Sequence, residues 1–302
     1  MKVLVLGSSG FLGSYLGFAL PKMGHEVSGA SRNPVAYFPA NQARGGGLDD
    51  YSEIIRSGAY HLVINCVAVA SHEACESGPE NAEAVNATFP AVWASAAAQA
   101  GSRFVHISTD AVFDGSRAEL YTESDETAPE SVYGRTKVQG EQAVIAANPD
   151  ALVLRVNFFG WSRSQKSGIL DFFVNAFTHH TPITGFQDSV VSSLYMGDLA
   201  EAMMDLVERG SSGVFHVVSS TPLSKYDFGL TVANAAGLPA DSMVAGSLAN
   251  ATGLAPRGHN LSLSTTKVEE VLGRAMPTSE AGIQRALAER EALMDYFGVS
   301  EE

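Results

Sequence analysis

The fold is decided by the stretch Val3-Leu4-Val5-Leu6-Gly7-Ser8-Ser9-Gly10-Phe11-Leu12-Gly13. An apolar run leads directly into a Gly-x-x-Gly-x-x-Gly pattern, and a helical pattern follows. This order predicts a buried parallel strand, a tight turn, and a helix whose first N–H groups point out of the turn. Gly7 permits the turn, Gly10 lets the backbone approach a pyrophosphate, and Gly13 lets the helix lie close to the strand. We therefore predict a dinucleotide site here, the alternative being a plain glycine-rich loop.

The bulk composition is that of a globular enzyme. The 302 residues, 45% of them hydrophobic and 17% charged, suffice for one large or two modest domains with a full core. The formal net charge of −14 argues against nucleic acid and anionic membrane surfaces as partners. Neither the histidines nor Cys66 and Cys75 have metal-ligand spacing, so we expect no metal and interpret both thiols as buried. With no signal pattern and no long apolar run, we expect a cytoplasmic protein.

Strands and helices alternate through the first half of the chain. Apolar runs predict strands at Val3–Leu6, Glu26–Ala30, Ala43–Gly46, His61–Cys66, Phe104–Ile107 and Ala151–Arg155. Helices are predicted between them at Phe11–Lys22, Asp50–Ser57, Pro79–Ala100 and Ser131–Ala147. Such alternation implies parallel pairing with right-handed crossovers, and therefore an α/β fold with a doubly wound parallel sheet.

The alternation loosens after Gly160. Helical patterns at 168–179, 196–209, 224–236 and 279–296 surround a short strand at 214–218. We do not expect these elements to extend the sheet in a regular way, although the return of some later segments to it stays open. We divide the chain into a dinucleotide-binding domain at 1–160 and a smaller C-terminal α/β domain at 161–302. The second is expected mainly to bind substrate at the carboxyl edge of the sheet.

A tyrosine, a lysine and a threonine could provide proton chemistry at that edge. Tyr133 and Lys137 lie one turn apart on a predicted helix. A nearby ammonium favours ionisation of a phenol, so such a tyrosine can protonate a forming alkoxide. The hydroxyls of Ser108 and Thr109 follow a strand, where one of them could hold a substrate carbonyl. A surface Tyr–Lys pair and a turn or cap hydroxyl are the alternatives.

These residues occur in an order that resembles the extended short-chain dehydrogenase/reductases. Within them, the chain closely resembles dTDP-4-dehydrorhamnose reductase and its relatives. It is carried by the glycine triplet, Asn65-Cys66-Val67-Ala68, Asn86, Ser108 to Gly115, Tyr133 to Glu141, Leu154-Arg155, Ser224 to Phe228 and Arg257 to Lys267. The resemblance implies a Rossmann-like domain with a small C-terminal sugar-nucleotide domain. It further implies NAD(P)H-dependent reduction of a 4-keto-6-deoxy sugar carried on a nucleoside diphosphate.

Carried over by position, the resemblance implies roles for individual residues. Thr109 orients the keto group, Tyr133 protonates the sugar oxygen, and Lys137 binds the nicotinamide ribose and lowers the pKa of the tyrosine. The implied cofactor residues are Gly7, Ser9, Gly10, Phe11, Leu12, Gly13, Ser31, Arg32, Cys66, Val67 and Ala68, with Tyr133 and Lys137. The implied substrate residues are Thr109, Asp110, Asn157, Phe158 and Arg257. A sugar nucleotide and a second copy of the chain are the expected partners.

The residues after the second strand favour NADPH over NADH. NAD-preferring enzymes usually place an acid there, whereas this chain has Ala30, Ser31 and Arg32. A guanidinium suits a 2′-phosphate, the alternative being a solvated arginine in a loop.

Several departures from the family pattern leave the sugar and the function class open. Ala111 replaces a tyrosine, Gly258 replaces a proline, and Gly47 stands where relatives often carry an aspartate. Phe158 lies near the position of a tryptophan that covers the sugar in those relatives. Asp110-Ala111 lacks the Asp-Glu pair that a 4,6-dehydratase needs, which argues against dehydration. A 4-epimerase stays open, as does a non-catalytic NADP-binding subunit like the regulatory beta subunit of methionine adenosyltransferase, which the chain also resembles.

Overall fold

The computed structural model describes residues 1–32, 41–44, 47–165, 168–251 and 253–299. Its strands are β1 (Lys2–Leu6), β2 (Glu26–Ser31), β3 (Asn41–Arg44), β4 (Leu62–Asn65), β5 (Arg103–Ile107), β6 (Leu152–Arg155), β7 (Phe158–Phe159), β8 (Ile183–Phe186), β9 (Val190–Val191), β10 (Leu194–Tyr195), β11 (Gly213–His216), β12 (Leu223–Ser224), β13 (Met243–Gly246) and β14 (Asn260–Leu261).

The helices follow the same chain order. They are α1 (Phe11–Lys22), α2 (Tyr51–Ser57), α3 (His72–Ser77), α4 (Pro79–Glu83), α5 (Phe89–Ala100), α6 (Val132–Ala147), α7 (Ile169–Thr178), α8 (Met196–Glu208), α9 (Lys225–Ala236), α10 (Thr266–Leu272) and α11 (Ser279–Phe297). A π-helical turn at Ala84–Thr88 joins α4 to α5, and 3₁₀ turns lie at Leu48–Asp50, Asp110–Val112 and Leu248–Asn250. Among these described helices, none combines the length and the apolar character needed to cross a bilayer.

A seven-stranded parallel sheet forms the centre of the molecule. Its order is β11-β6-β5-β4-β1-β2-β3, and every pair of neighbours runs parallel. The side chains of β1 alternate between two cores, because successive residues of a strand point to opposite faces. Val3 and Val5 pack in the larger core with α1, α8 and α11, whereas Leu4 and Leu6 pack in the smaller core with α2 and α5. Helices thus cover both faces, which confirms the predicted α/β, Rossmann-like doubly wound sheet.

One late strand corrects the expectation that the elements after residue 160 do not extend the sheet. Gly213 to His216 pair in parallel register with Leu152 to Arg155, so β11 becomes the edge strand beside β6. Phe215 of this strand is buried in the larger core, and its burial supplies a reason for the strand to return. The division into a dinucleotide-binding domain and a substrate domain stays a prediction, because that division allowed some later segments to return to the sheet.

Two other predicted segments differ from the structure. The third strand spans Asn41–Arg44 and not Ala43–Gly46; residues 45 and 46 of that prediction lie outside the described residues. The long helix predicted at Pro79–Ala100 is interrupted by the π-helical turn, where buried Asn86 bonds outside the helix. Composition predicts the helical state but contains no signal for this tertiary contact.

The remaining strands form small sheets beside the carboxyl edge of the large one. Their pairings are β12-β9-β14, β13-β8 and β10-β7. Helix α11 ties this part to the beginning of the chain, because the Tyr15 hydroxyl donates to Glu289 Oε2 at 2.6 Å and Trp161 Nε1 donates to the Ala286 carbonyl at 2.7 Å. The C-terminal part of the chain is therefore attached to α1, the helix that starts at the glycine turn.

Candidate active site

The glycine turn has the geometry that its sequence predicts. Gly7 has φ +79°, a left-handed conformation that favours glycine, and its N–H donates to the Ala30 carbonyl at 2.8 Å. A Cβ on Gly13 would lie 2.2 Å from the Gly7 carbonyl oxygen, so only glycine allows α1 to pack this closely against the turn. The turn thus leaves the start of α1, with Gly10 at its N-cap, facing the cleft.

A cavity of about 160 Å³ lies beside this turn and contains most of the predicted cofactor residues. It is lined by Gly7, Ser9, Gly10, Ser31, Arg32, Leu48, Tyr51, Cys66, Val67 and Ala68. Leu48 and Tyr51 were not predicted. They come from the segment after β3, for which the sequence predicts a helix at Asp50–Ser57 and lacks the aspartate that relatives often carry at position 47. Asp50 accepts the Gly47 N–H at 2.9 Å.

A second cavity, of about 340 Å³, brings the three predicted catalytic residues together. Thr109, Tyr133 and Lys137 all line it, as do the predicted cofactor residues Gly10, Phe11, Leu12, Cys66 and Ala68. Its other lining residues are Ala70, Ile107, Ser108, Asp110, Val156, Asn157 and Phe158. Cys66 is therefore only half-buried and faces the cleft, which corrects the expectation of a core thiol, whereas Cys75 is fully buried as expected.

Helix α6 positions the tyrosine and the lysine. Its first turn is capped by Ser131, whose hydroxyl accepts the Gly134 N–H at 3.0 Å, and by Glu76, whose carboxylate accepts the Val132 N–H at 2.8 Å. These bonds satisfy N–H groups that a helix end otherwise leaves unpaired. Glu76 belongs to α3, so this carboxylate connects α3 to the start of the helix that carries Tyr133 and Lys137.

The surroundings of Tyr133 favour its neutral form. Burial raises the pKa of Tyr133 to about 12, contact with the Thr109 hydroxyl acts in the opposite direction, and the Asp110 charge raises the pKa further. The His72 ring lies against the phenol with 4.9 Å between ring centroids. The sequence pattern indicates no role for His72, so its contact with Tyr133 was not predicted.

Lys137 lies deeper than its predicted role suggests. The residue is 1% exposed, and its Nζ donates to the Ile107 carbonyl at 2.7 Å and lies 3.4 Å from His106 Nε2. Burial lowers the pKa of Lys137 to about 8. Lys137 is not among the groups that shift the pKa of Tyr133 in this arrangement, so the expectation that its ammonium lowers that pKa stays a prediction. The ammonium itself donates to a backbone carbonyl.

Asn86 holds the backbone that forms one wall of this cavity. It is fully buried in the π-helical turn, accepts the Val69 N–H at 2.8 Å and donates to the Val69 carbonyl at 3.1 Å. The same amide nitrogen donates to Thr136 Oγ1 at 3.0 Å, on α6 between Tyr133 and Lys137. A π-helical turn often marks a functional site. Here the turn lets one amide connect α6 to the segment after β4.

A third cavity, also of about 340 Å³, contains the predicted substrate residues. Thr109, Asp110, Asn157, Phe158 and Arg257 line it, together with Phe11, His72, Ala111, Gly168, Ile169, Ser189, Val191, Ser193, Leu223, Ser224, Lys225, Phe228, Gly258 and Leu261. It shares Phe11, Thr109, Asp110, Asn157 and Phe158 with the catalytic cavity. The two cavities therefore meet at Thr109, so a ligand in one contacts residues that line the other.

Hydrogen bonds and ring stacking shape this shared wall. Asn157 Nδ2 donates to Asp110 Oδ2 at 2.7 Å, and Thr109 Oγ1 donates to Asp110 Oδ1 at 3.0 Å. Burial raises the pKa of Asp110 to about 6, although these two bonds oppose the shift. The rings of Phe11 and Phe158 stack with 5.9 Å between centroids. The wall is thus part polar and part aromatic, as suits a sugar ring beside a flat ligand.

A buried ionic network lies behind the catalytic strand and was not predicted. Arg155 donates from Nε and Nη2 to the carboxylate of Glu141 at 3.0 and 2.8 Å, with both side chains almost completely buried. The Ser108 hydroxyl, next to Thr109, donates to the same carboxylate. Glu141 lies one turn beyond Lys137 on α6. The pair therefore joins the strand end that carries Thr109 to the helix that carries Tyr133 and Lys137.

Within the described ranges, no group of three or more His, Cys, Asp or Glu side chains is arranged to hold a metal ion. The chemistry supported by the cleft is that of a phenol, a hydroxyl and an ammonium beside an open helix N-terminus.

Comparisons with known proteins give the same family as the motifs. A family model described as the RmlD substrate binding domain matches residues 1–292. The probable low-salt glycan biosynthesis reductase Agl14 of Haloferax volcanii is 34% identical over 285 residues, covering 93% of this chain and 95% of that protein. The dTDP-4-dehydrorhamnose reductase of Mycobacterium tuberculosis is 35% identical over 234 residues, covering 74% of this chain and 72% of that protein.

Solved structures show the same fold. The crystal structure of dTDP-4-dehydrorhamnose reductase from Bacillus anthracis in complex with NADP matches with a TM-score of 0.84 at 22% identity, covering 95% of this chain and 99% of that chain. Because the family model and Agl14 each span nearly the whole sequence, the chain belongs to the RmlD substrate binding domain family.

Proposed function

We propose that this protein is an NADPH-dependent reductase that transfers hydride to the 4-keto group of a nucleoside-diphosphate 4-keto-6-deoxy sugar. One observation carries the proposal: Thr109, Tyr133 and Lys137 line one cavity, which is continuous with residues of the glycine turn on one side and with a polar pocket on the other. The names of the reductases to which the chain is similar support the same reaction class.

The residues present fit a dinucleotide cofactor. Gly7, Gly10 and the first N–H groups of α1 would hold the pyrophosphate, and Cys66, Val67 and Ala68 would line the ribose side. NADPH bound there supplies the hydride. The Bacillus anthracis relative was solved with NADP, which supports this choice.

Arg32 and Ser31 would select NADPH by binding its 2′-phosphate. Both line the cavity beside the glycine turn, and the described residues that line this cavity include no carboxylate. A guanidinium pairs with a phosphate through charge-assisted bonds, whereas a ribose 2′-hydroxyl is usually bound by an acid.

The chain's own residues perform the proton chemistry. Tyr133, neutral because its pKa is about 12, would donate its proton to the sugar oxygen as that oxygen gains negative charge. Thr109 would hold the same oxygen in place. Lys137, one helical turn away, would place a positive charge near the phenolate that forms. Asp110, Asn157, Phe158 and Arg257 would bind the sugar nucleotide, and a homodimer stays a prediction.

The direct test is NADPH oxidation after addition of nucleotide-linked 4-keto sugars. Tyr133→Phe should abolish turnover and leave cofactor binding nearly intact, because the substitution removes only the proton donor. Tyr60→Phe, on the half-buried Tyr60 remote from the cleft, is the matched control and should retain full activity.

Three outcomes would contradict the proposal. A Tyr133→Phe variant that turns over at the wild-type rate would show that another group is the acid. Tight NADPH binding without oxidation by any such sugar would favour the non-catalytic regulatory subunit, and interconversion of two sugars without net NADPH consumption would favour the epimerase.

A further inference from the structure

Two cations face the substrate pocket in a chain of formal net charge −14. Lys225, the first residue of α9, and Arg257, in the segment before β14, both line the cavity that contains Thr109 and Asp110. Among the described residues that line this cavity, Asp110 is the one carboxylate, and it already accepts bonds from Asn157 and Thr109. Cationic side chains therefore outnumber carboxylates among the described residues that line this pocket.

The ammonium of Lys225 forms no ion pair and no hydrogen bond with any described residue, although the side chain is half-buried. Burial and the nearby Arg257 guanidinium lower the pKa of Lys225, while Asp110 acts in the opposite direction. Holding two cations near each other at a partly buried site costs free energy unless an anion joins them.

Arg257 does have a partner, and that partner is a carboxylate at the edge of the cleft. Its Nη2 donates to Glu73 Oε1 at 2.6 Å, an ion pair whose side chains are 24% and 51% exposed. Glu73 lies in α3, next to His72, which itself lines the pocket. The ion pair joins two segments 184 residues apart in sequence. Glu73 is not a lining residue of the pocket, so it holds the guanidinium from outside.

We propose that Lys225 and Arg257 form the subsite for the diphosphate of the sugar nucleotide, and that Glu73 competes with this diphosphate for Arg257. The inference rests on the proposed function, because it assigns the substrate of that function to this pocket. A diphosphate bears two negative charges. Lys225 provides one cation that has no ion-pair partner among the described residues, and Arg257 provides a second once it separates from Glu73. Charge-assisted bonds to phosphate are stronger than the exposed Glu73 pair, so the diphosphate displaces the carboxylate.

The subsite is tested by equilibrium binding, which needs no turnover. The protein is saturated with NADP⁺, so that the glycine turn is occupied, and titrated calorimetrically with thymidine, uridine and guanosine diphosphates and with the corresponding uncharged nucleosides. Lys225→Met should weaken binding of the preferred diphosphate by about 10- to 100-fold, as expected for loss of one charge-assisted contact, and leave nucleoside binding unchanged. Lys225→Arg should keep most of the affinity.

Lys22→Met is the matched control, because it removes an exposed lysine at the end of α1 and changes the net charge equally. It should bind diphosphates like the wild type. Equal diphosphate affinity in Lys225→Met and Lys22→Met would overturn the subsite, as would a wild-type protein that binds the diphosphates no better than the nucleosides. Thermal unfolding of each variant tests whether a loss of binding is caused by a loss of folding.

The proposed competition between Glu73 and the diphosphate predicts that removal of the Glu73 charge strengthens diphosphate binding, whereas removal of the Lys225 charge weakens it. Glu73→Gln frees Arg257, so diphosphate binding should strengthen by about two- to fivefold, the equivalent of one exposed ion pair. Glu80→Gln removes an exposed carboxylate from the neighbouring helix α4 and is the control for net charge. If both glutamine variants bind alike, Glu73 is not a competitor.

The outcomes separate this inference from the proposed function. Lys225-dependent diphosphate binding without NADPH oxidation by any 4-keto sugar nucleotide would support the subsite and refute the reductase. NADPH oxidation together with a diphosphate affinity that does not change in Lys225→Met would support the reductase and refute the subsite.

Discussion

Lys137 and Tyr133 lie one helical turn apart, yet burial moves their pKa values in opposite directions. The pKa of Lys137 is lowered to about 8 and that of Tyr133 is raised to about 12. Both shifts favour the uncharged form, because the buried cavity solvates charge poorly. Near neutral pH, each group still carries its proton. The site thus holds a phenol ready to donate a proton and an ammonium that titrates only slightly above neutrality.

We expect kcat/KM of the proposed reduction to fall as pH rises through about 8. The Lys137 ammonium is present below its pKa and lost above it, and with it goes the positive charge that stabilises the phenolate. Tyr133 does not contribute to this fall, because its own pKa lies near 12. The measurement is the pH profile of NADPH oxidation. Lys137→Arg should move the fall to higher pH, since a guanidinium keeps its proton; a wild-type profile that stays flat well above pH 8 would contradict the assignment.

Replacing Arg32 with Gln should reduce the preference for NADPH. Loss of the charged contact to a 2′-phosphate should lower kcat/KM for NADPH by about 10- to 100-fold, while NADH is affected little because it lacks that phosphate. Kinetics with both cofactors measure the change. Arg56→Gln, at another exposed arginine, serves as the control. An equal loss with both cofactors would instead assign Arg32 a structural role.

The residues proposed to be catalytic could be predicted because each can be placed from its own segment of sequence. The residues that were not predicted come together only through the packing of distant segments. Tyr133 and Lys137 are four residues apart, and Thr109 directly follows a strand, so each can be placed from its own segment. Lys225 of α9 lines the pocket and Glu73 of α3 pairs with Arg257 at its edge, and nothing in either segment specifies that the two come together there. Their meeting depends on the packing of distant elements.

Helix α6 brings successive turns of one face to different parts of the site. Tyr133 and Lys137 line the catalytic cavity, and Glu141, one turn further, joins Arg155 of β6. The Pro79–Ala100 segment shows why element prediction has limits. Its alanine-rich composition indicates one helix, but the bonds of Asn86 to Val69 accompany a π-helical turn within it.

Glu141→Gln should destabilise the protein by about 3–5 kcal/mol, because it leaves the buried Arg155 guanidinium without its countercharge. Denaturant unfolding measures the change. Glu141→Gln combined with Arg155→Met should recover much of the loss, since removing both charges leaves none uncompensated. Asp205→Asn breaks the exposed pair with Arg274 and should cost less than about 1 kcal/mol. A Glu141→Gln variant as stable as Asp205→Asn would contradict this account.

For the whole molecule, the nucleotide-binding sheet and the substrate pocket are not built from separate halves of the sequence. The edge strand β11 comes from beyond residue 160, and α11 bonds to Tyr15 of α1. The parallel sheet itself was predictable from alternating apolar runs. The return of β11 was not, because four residues without a flanking motif carry no information about which strand they join.

A fragment of residues 1–160 should therefore fail to unfold cooperatively. It lacks β11, the buried Phe215, and the α8 and α11 side chains that complete the larger core. Circular dichroism during urea titration should show a broad change, in contrast to a sharp transition in the full chain. A sharp transition in the fragment would show that the first 160 residues fold as an independent domain.

The late return of β11 also affects how the chain is made. Synthesis proceeds from the N-terminus, so β6 leaves the ribosome well before the strand that pairs with it, and everything from Val156 to Ser212 must be translated in between. Throughout that interval one side of β6 offers unpaired peptide groups to any neighbouring nascent chain. Slow translation over this stretch would lengthen the exposure, which makes it the period when chaperones would be needed most.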